Sequence, residues 1–119
     1  MKQLFFLIVF VLLVTPSVAK KSEKPSERAI EHNNKGVAAL YNEGDVDKAI
    51  FEFKTATEME PKYVEAWSNL GLAYKYKGQL DEAVKVLTKA IDLDKKFASP
   101  HNHLGIVYHA LGKYKEALD

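Results

Sequence analysis

The stretch "AWSNLGLAYKYKGQLDEAVKVLTKAIDLD" runs from Ala66 to Asp94, and an altered copy, "SPHNHLGIVYHALGKYKEALD", runs from Ser99 to Asp119. The two copies align with a shift of 34 residues, and the same shift relates both to an earlier, looser copy. The positions that coincide include Gly44, Gly78 and Gly112, and Ala49, Ala83 and Ala117. A fixed period of this length indicates a solenoid, in which each unit buries its apolar face against the next.

Each period contains two helical patterns separated by a glycine. In the middle copy the first pattern places apolar positions at i, i+3, i+4 and i+7, which is one face of a helix: Trp67, Leu70, Gly71 and Tyr74. Gly78 follows, where a left-handed helix end suits a residue without a Cβ. A second helix is predicted over about Leu80 to Leu93, with small and large apolar residues on its inner side. Each unit is therefore predicted to be an antiparallel helix hairpin with an aromatic core stripe that includes Tyr108 in the third copy.

This order of residues resembles the tetratricopeptide repeat, whose pattern is W-x2-L-G-x2-Y followed by A-x3-F and Pro. The middle copy departs from it with Leu87 for Phe and Lys95 for Pro. The resemblance covers residues from about 30 to 119. It implies an all-α, right-handed solenoid of helix-turn-helix units, about two and a half repeats long, at about 28–63, 64–97 and 98–119, the last one truncated.

The first copy departs from the period at one point. Gly36 stands 35 residues before Gly71, one more than the period. The first helix is therefore either out of register or carries an extra residue near its end.

The third copy stops early. A helix starting at about Tyr114 would have six residues, well below the length at which an isolated helix is stable. We expect the side of the preceding helix that carries Leu104 and Tyr108 to lie partly uncovered. Either the chain is a fragment of a longer repeat protein, or a partner or a second copy completes the last unit, so that the chain could self-associate.

The first residues have the layout of a secretory signal peptide. A positive start at Lys2 precedes an apolar run from Leu4 to Val14, and small residues lead to a predicted cleavage site after Ala19. The predicted organisation is a signal peptide over 1–19, a polar leader over 20–27, and the repeats from residue 28. The chain is predicted to be exported, periplasmic or secreted, with an uncleaved membrane anchor as the alternative.

The composition argues against most chemistry. The chain has no cysteine, and its formal charge of +1 argues against a broad nucleic-acid-binding surface. No Gly-x-Ser-x-Gly elbow or phosphate-binding glycine loop is present, and the histidines lack the i,i+3 or i,i+4 spacing of a helical metal site. We therefore predict no enzyme activity, no cofactor, no metal site, no nucleic-acid partner and no membrane contact beyond the signal peptide.

A second stripe on the first helices is not needed for packing. The resemblance implies that these helices line a concave groove, so the predicted peptide-binding residues are those of this stripe in the second and third units: Glu65, Ser68, Asn69, Leu72, Lys75, Tyr76, Asn102, His103, Ile106 and His109. Asparagine can pair with a peptide backbone, and tyrosine is a favoured interface anchor. The prediction is a non-catalytic interaction module or scaffold that binds a protein or peptide. The alternatives are a structural, oligomerising subunit, or a piece of a larger repeat-containing enzyme or of a secretion or assembly component.

One function of similar proteins does not fit these residues. Some members hold the C-terminal carboxylate of heat-shock chaperones with lysine, arginine and asparagine side chains. Asn69 matches one position of that clamp, but the third-unit positions hold Ser99 and His103. Because the cationic groups are missing, the charge-assisted hydrogen bonds of the clamp are not expected.

Overall fold

A computed structural model of the chain describes residues 24–118, and the side chains of residues 24–113. This part of the chain is helical and contains no strand, which confirms the predicted all-α fold. The five α-helices of this part are α1 Glu27–Ala38, α2 Val46–Met59, α3 Val64–Lys77, α4 Leu80–Leu93 and α5 Ala98–Leu118. None of the helices within residues 24–118 is both long and apolar enough to cross a membrane. The predicted signal peptide lies outside the described residues.

The first two helices begin at side-chain caps. The Ser26 hydroxyl accepts a hydrogen bond from the Ala29 N–H at 3.2 Å, and an Asp45 carboxylate oxygen accepts one from the Lys48 N–H at 3.0 Å. Each cap satisfies one of the amides that a helix leaves unpaired at its start. The cap at Ser26 thus fixes the start of α1 at Glu27, and the cap at Asp45 fixes the start of α2.

Two glycines reverse the chain direction within the hairpins. Gly44 has φ of 68° and Gly78 has φ of 83°, both in the left-handed region. A Cβ at either position would meet no atom within 4 Å, so the backbone conformation alone favours glycine there. α1 and α2 form the first hairpin, and α3 and α4 form the second.

Two other glycines let the helices of each hairpin pack closely. A Cβ on Gly36 would lie 2.5 Å from Cε1 of Phe53, and a Cβ on Gly71 would lie 2.5 Å from Cδ2 of Leu87. Phe53 and Leu87 are both fully buried. We call each such position a glycine notch, because the missing side chain leaves the space that the large residue of the opposing helix fills.

The extra residue of the first unit lies in a π-helical turn. Gly36 and Gly44 are eight residues apart, whereas Gly71 and Gly78 are seven apart. The turn covers Ala39–Glu43, directly after α1, and the N–H of Gly44 bonds to the carbonyl oxygen of Ala39. Of the two alternatives raised by the sequence, the structure shows the second: α1 stays in register, and the added residue is absorbed near its end.

The hairpins stack as the repeat predicts. Leu70 and Ala73 of α3 pack with Ala49 and Phe53 of α2, and Trp67 covers their edge. In the same way α5 packs on α4, with contacts that join the fully buried Val107 to Ala83 and Leu87. The core therefore continues from one unit to the next, which is the property that defines a solenoid. Together with the helix order, this stacking confirms the predicted solenoid.

The third unit differs from the prediction. A turn at Gly112 and a second helix from about Tyr114 were expected, but α5 continues through both positions to Leu118. Gly112 lies within the helix, and the positive-φ glycines of the described chain are Gly44 and Gly78. The expected turn at Gly112 is therefore wrong, because the helix continues through this position.

One side of α5 is exposed among the described residues. The Tyr108 side chain is 54% exposed, although Tyr74, its equivalent in the second unit, packs into the core. The prediction that Tyr108 is a core residue is therefore wrong. Leu104, at the neighbouring position, still packs against α4.

Candidate functional site

Polar side chains connect the first helices of successive units. The Asn69 amide donates to the Asn33 Oδ1 at 3.0 Å, which joins α3 to α1. The Ser68 hydroxyl lies 3.2 Å from the Ser99 hydroxyl and 3.3 Å from Nδ1 of His103, which joins α3 to α5. We call these five residues the polar ladder. Because the ladder joins α1, α3 and α5, these helices present one continuous surface.

The ladder is formed by buried groups paired with half-buried ones. Asn33 is 2% exposed and Ser68 is 1% exposed, whereas Asn69 and His103 are half-buried. No buried side-chain nitrogen or oxygen in the described residues lacks a hydrogen-bond partner. An unpaired buried polar group would destabilise the fold, so the ladder holds the register of the three helices.

Burial and a neighbouring charge both change the pKa of the His103 ring. Burial lowers the pKa of the His103 imidazole below its usual value, and the positive charge of Lys75 lowers it further. A hydrogen bond to the Ser68 backbone acts in the opposite direction. The ring is therefore neutral at neutral pH, and each of its nitrogens can serve a polar partner without adding charge.

Lys75 and Tyr76 are in contact with each other near the end of α3. The Lys75 ammonium lies 4.6 Å from the centroid of the Tyr76 ring, within the range of a cation–π contact. Tyr76 is nevertheless 53% exposed, so most of its ring is open to solvent. A ring held by a neighbour yet exposed is suited to pack against an incoming apolar group.

The predicted groove residues fall into three groups by exposure. The exposed ones are Glu65, Tyr76, Asn102, Ile106 and His109. The half-buried ones are Asn69, Lys75 and His103. Ser68 and Leu72 are buried, so they support the surface from beneath. The structure brings Lys75 together with Tyr76, and Ser68 together with His103.

Asn33 and Ser99 were not in the predicted set, although both belong to the polar ladder. The signal for Asn33 was present in the sequence. Ahead of the π-helical turn the shift between units is 35 rather than 34, and with this shift Asn33 aligns with Ser68. The dominant shift of 34 concealed that equivalence.

His101 takes the place of Trp67 in the third unit. The Trp67 Nε1 donates to the Pro61 carbonyl oxygen at 2.9 Å, and His101 Nε2 lies 2.9 Å from the Lys95 carbonyl oxygen. Both bonds span six residues, so the histidine reproduces the contact of the indole. No group of three potential metal ligands occurs among the described residues.

A histidine–carboxylate pair lies away from this surface. His32 Nδ1 lies 2.6 Å from Oε2 of Glu52, between α1 and α2, with side chains 23% and 12% exposed. This pair joins the two helices of the first hairpin. It belongs to the packing of that unit rather than to the ladder.

Comparison with known proteins places the chain among repeat proteins. The family model described as "TPR repeat" matches residues 38–77 and 73–112. No match was found among curated protein sequences.

Solved structures share the fold. The second TPR of Spaghetti (RPAP3), bound to the HSP90 peptide SRMEEVD, is 26% identical with a TM-score of 0.69, over 76% of this chain and 83% of that one. The Arabidopsis OM64 TPR domain is 26% identical with a TM-score of 0.69, over 76% and 74%. The Sgt2 TPR domain from Aspergillus fumigatus is 25% identical with a TM-score of 0.72, over 82% and 64%.

The family match extends from the end of α1 through α2, α3 and α4 and over most of α5, and the helix order and glycine notches agree with it. The chain belongs to the tetratricopeptide repeat family.

Proposed function

We propose that this chain is a non-catalytic interaction module that holds a peptide or protein segment on the surface formed by α1, α3 and α5. The observation that carries the proposal is the half-exposed Tyr76 ring, supported by Lys75 on a face that the core does not use. The ladder beneath this face keeps the helices in register, so the surface is organised before a ligand arrives. Preorganisation of this kind lowers the entropy cost of binding.

The complex of the Spaghetti domain with an HSP90 peptide supports a peptide as the ligand, since that domain has the same fold. The ligand of this chain would be held differently. Ser99 and His103 occupy the positions where a carboxylate clamp has cations, and the His103 ring is committed to Ser68. The proposed contacts are therefore the Tyr76 ring, the free oxygen and remaining N–H of Asn69, and the exposed Ile106.

Selection of peptides from a displayed random library, with this chain as bait, tests the groove. The double variant Tyr76→Ala, Ile106→Ala removes two exposed side chains among the proposed contacts and should weaken the binding of the selected peptides by about tenfold or more. Its melting temperature should stay close to that of the parent chain. The matched control is Thr88→Ala with Lys89→Ala, two exposed positions on α4. Equal affinity for all three proteins would show that the groove is not the site.

The proposal includes export. The supporting feature is the order of Lys2, the apolar run and Ala19 in the sequence. Mass spectrometry of the protein recovered from a secretory host should find an amino terminus at Lys20. An intact Met1 terminus in the membrane fraction would instead indicate an uncleaved anchor.

A second candidate function is assembly with another chain through α5. The exposed Tyr108 side chain favours it, because the equivalent side of α3 is covered. Self-association is one form of this assembly. Sedimentation of the parent chain and of Tyr108→Ala would test it, since a mass that depends on Tyr108 requires this side of α5.

A further inference from the structure

Two exposed tyrosines stand at equivalent places in the first two units. Tyr41 is 62% exposed and Tyr76 is 53% exposed. Each follows by five residues the glycine that faces the second helix of its hairpin, Gly36 or Gly71. In a regular α-helix five residues turn a side chain by about 140° away from that second helix. The π-helical turn that contains Tyr41 winds more loosely and moves its ring toward the side of Asn33. Both rings therefore lie on the side that carries the polar ladder.

The spacing of the two helices sets the spacing of the two rings. α1 and α3 are neighbours, since a hydrogen bond joins Asn69 to Asn33. Packed helices lie about 8–10 Å apart, so rings at equivalent positions have a similar separation. A polyproline II segment has three residues per turn and rises about 3.1 Å per residue. Its residues i and i+3 therefore point the same way about 9 Å apart, which matches the spacing of the tyrosines.

The chemistry beside the rings favours such a segment over other conformations. In a β-strand, residues i and i+3 point to opposite sides, so they cannot both face the surface. A helix could span the distance, but its backbone groups are already paired and would leave the amides of Asn34 and Asn69 without a partner. The backbone of a polyproline II segment is open to hydrogen bonds, and its proline rings pack well on aromatic side chains.

Charge distinguishes the two ends of this surface. Lys75 is half-buried, and within residues 24–113 it forms no ion pair with a carboxylate. Its charge reaches the His103 ring of α5. Between Ala98 and Lys113, α5 contains no aspartate or glutamate. The side of the surface toward α5 is therefore complementary to a negative charge on a ligand.

We propose that the ligand is a proline-rich segment in the polyproline II conformation. Two prolines three residues apart lie on Tyr41 and Tyr76, and an acidic residue of the segment lies beyond them, toward α5. This inference rests on the proposed function and specifies its ligand. It adds the first unit to a site that the prediction from sequence confined to the second and third units.

The probe is a fluorescent synthetic peptide of nine prolines with two glutamates at each end, so that either direction of binding places an acid toward α5. Fluorescence polarisation with the full chain measures its affinity. A reference peptide keeps the glutamates and replaces the prolines with alternating glycine and serine. It should bind about tenfold more weakly or worse, because it lacks both the rings and the fixed conformation.

Variants of the chain locate the prolines. Tyr41→Ala and Tyr76→Ala should each weaken the proline peptide by about tenfold, whereas Tyr41→Phe keeps the ring and should retain most of the affinity. Phe51→Ala is the matched control, since it removes a ring on α2 that is 65% exposed. It should leave the affinity unchanged. All four melting temperatures should stay close to that of the parent chain, because these side chains are exposed.

A second pair of variants locates the acid. Lys75→Gln should weaken the glutamate-flanked peptide several-fold and leave unchanged the affinity for the same peptide flanked by glutamines. Lys89→Gln, which removes an exposed charge on α4, is the control and should affect neither peptide.

Three results would overturn the inference: equal affinity for the proline and the glycine–serine peptides, parental affinity in Tyr41→Ala, or an equal loss in Phe51→Ala. Equal affinity of the parent chain for the glutamate and glutamine peptides would overturn the acidic preference. The groove itself is tested separately by the library peptides. If these bind and weaken in the Tyr76→Ala, Ile106→Ala variant while the proline peptide does not bind, the groove stands and the proposed ligand is wrong.

Discussion

The side-chain amide of Asn69 donates a hydrogen bond to the buried Oδ1 of Asn33, 3.0 Å away in the neighbouring unit. This bond spans two helices whose packing otherwise depends on apolar side chains. It gives Asn69, a half-buried residue of the surface, a structural role.

Asn69→Ala should lower the free energy of unfolding by about 1–3 kcal/mol, because it leaves the buried Asn33 oxygen without a donor. Urea denaturation followed by circular dichroism measures the change. Asn102→Ala, which alters an exposed asparagine on α5, is the control and should change stability by less than about 0.5 kcal/mol. Equal losses of unfolding free energy in the two variants would show that the hydrogen bond between Asn69 and Asn33 does not stabilise the fold.

Alanine at two equivalent glycines should have opposite effects. Gly71→Ala places a Cβ against the fully buried Leu87 and should cost about 1–3 kcal/mol. Gly105→Ala meets open space and should stabilise the chain by about 0.5–1 kcal/mol, because alanine is the better helix former. Thermal melts of both variants beside the parent chain provide the comparison. A loss of stability in Gly105→Ala would mean that other atoms fill the space beside Gly105.

The depressed pKa of His103 predicts a dependence of stability on pH. A base whose pKa is lower in the folded chain binds protons more readily when unfolded. Its neutral form therefore contributes stability above the unfolded pKa, about 6.5, and this contribution is lost as the pH falls through the folded value. The parent chain should lose more stability than His103→Gln between about pH 7.5 and about pH 5.5. Parallel curves for the two proteins would contradict the burial of the ring.

The π-helical turn should tolerate removal of its extra residue. Deleting Asn42 makes the spacing from Gly36 to Gly44 seven residues, which is the spacing of the second unit. The melting temperature should then stay constant or rise, because the turn can return to α-helical hydrogen bonding. Deleting Lys77 instead shortens α3, which is a regular α-helix without an extra residue. This deletion should lower the free energy of unfolding by about 2–5 kcal/mol, like the loss of a core side chain. Similar losses from both deletions would show that the turn is not the site of the insertion.

Much of this fold is predictable from the sequence, because each unit buries the same stripe against its neighbour. The shift of 34 residues located the hairpins, and the left-handed glycines fell where the apolar pattern ended. The course of α5 could not be read in the same way. The local pattern favoured a turn at Gly112, whereas the helix continues through that position.

The surface was harder to predict than the core. Spacing identified the stripe that carries Tyr76, since a helix has a limited number of faces. The pairing of Asn33 with Asn69 depends on the offset between neighbouring helices, which a shift in sequence does not reveal. Ser68 was placed in the groove because of its spacing along the second stripe, whereas two polar neighbours allow its side chain to be buried.

The π-helical turn at Ala39–Glu43 has a wider consequence for how such chains tolerate length changes. An added residue there alters neither the notch at Gly36 before it nor the reversal at Gly44 after it. In the first unit the turn after α1 accommodates one added residue, so two copies that differ in length by one residue share a single stack.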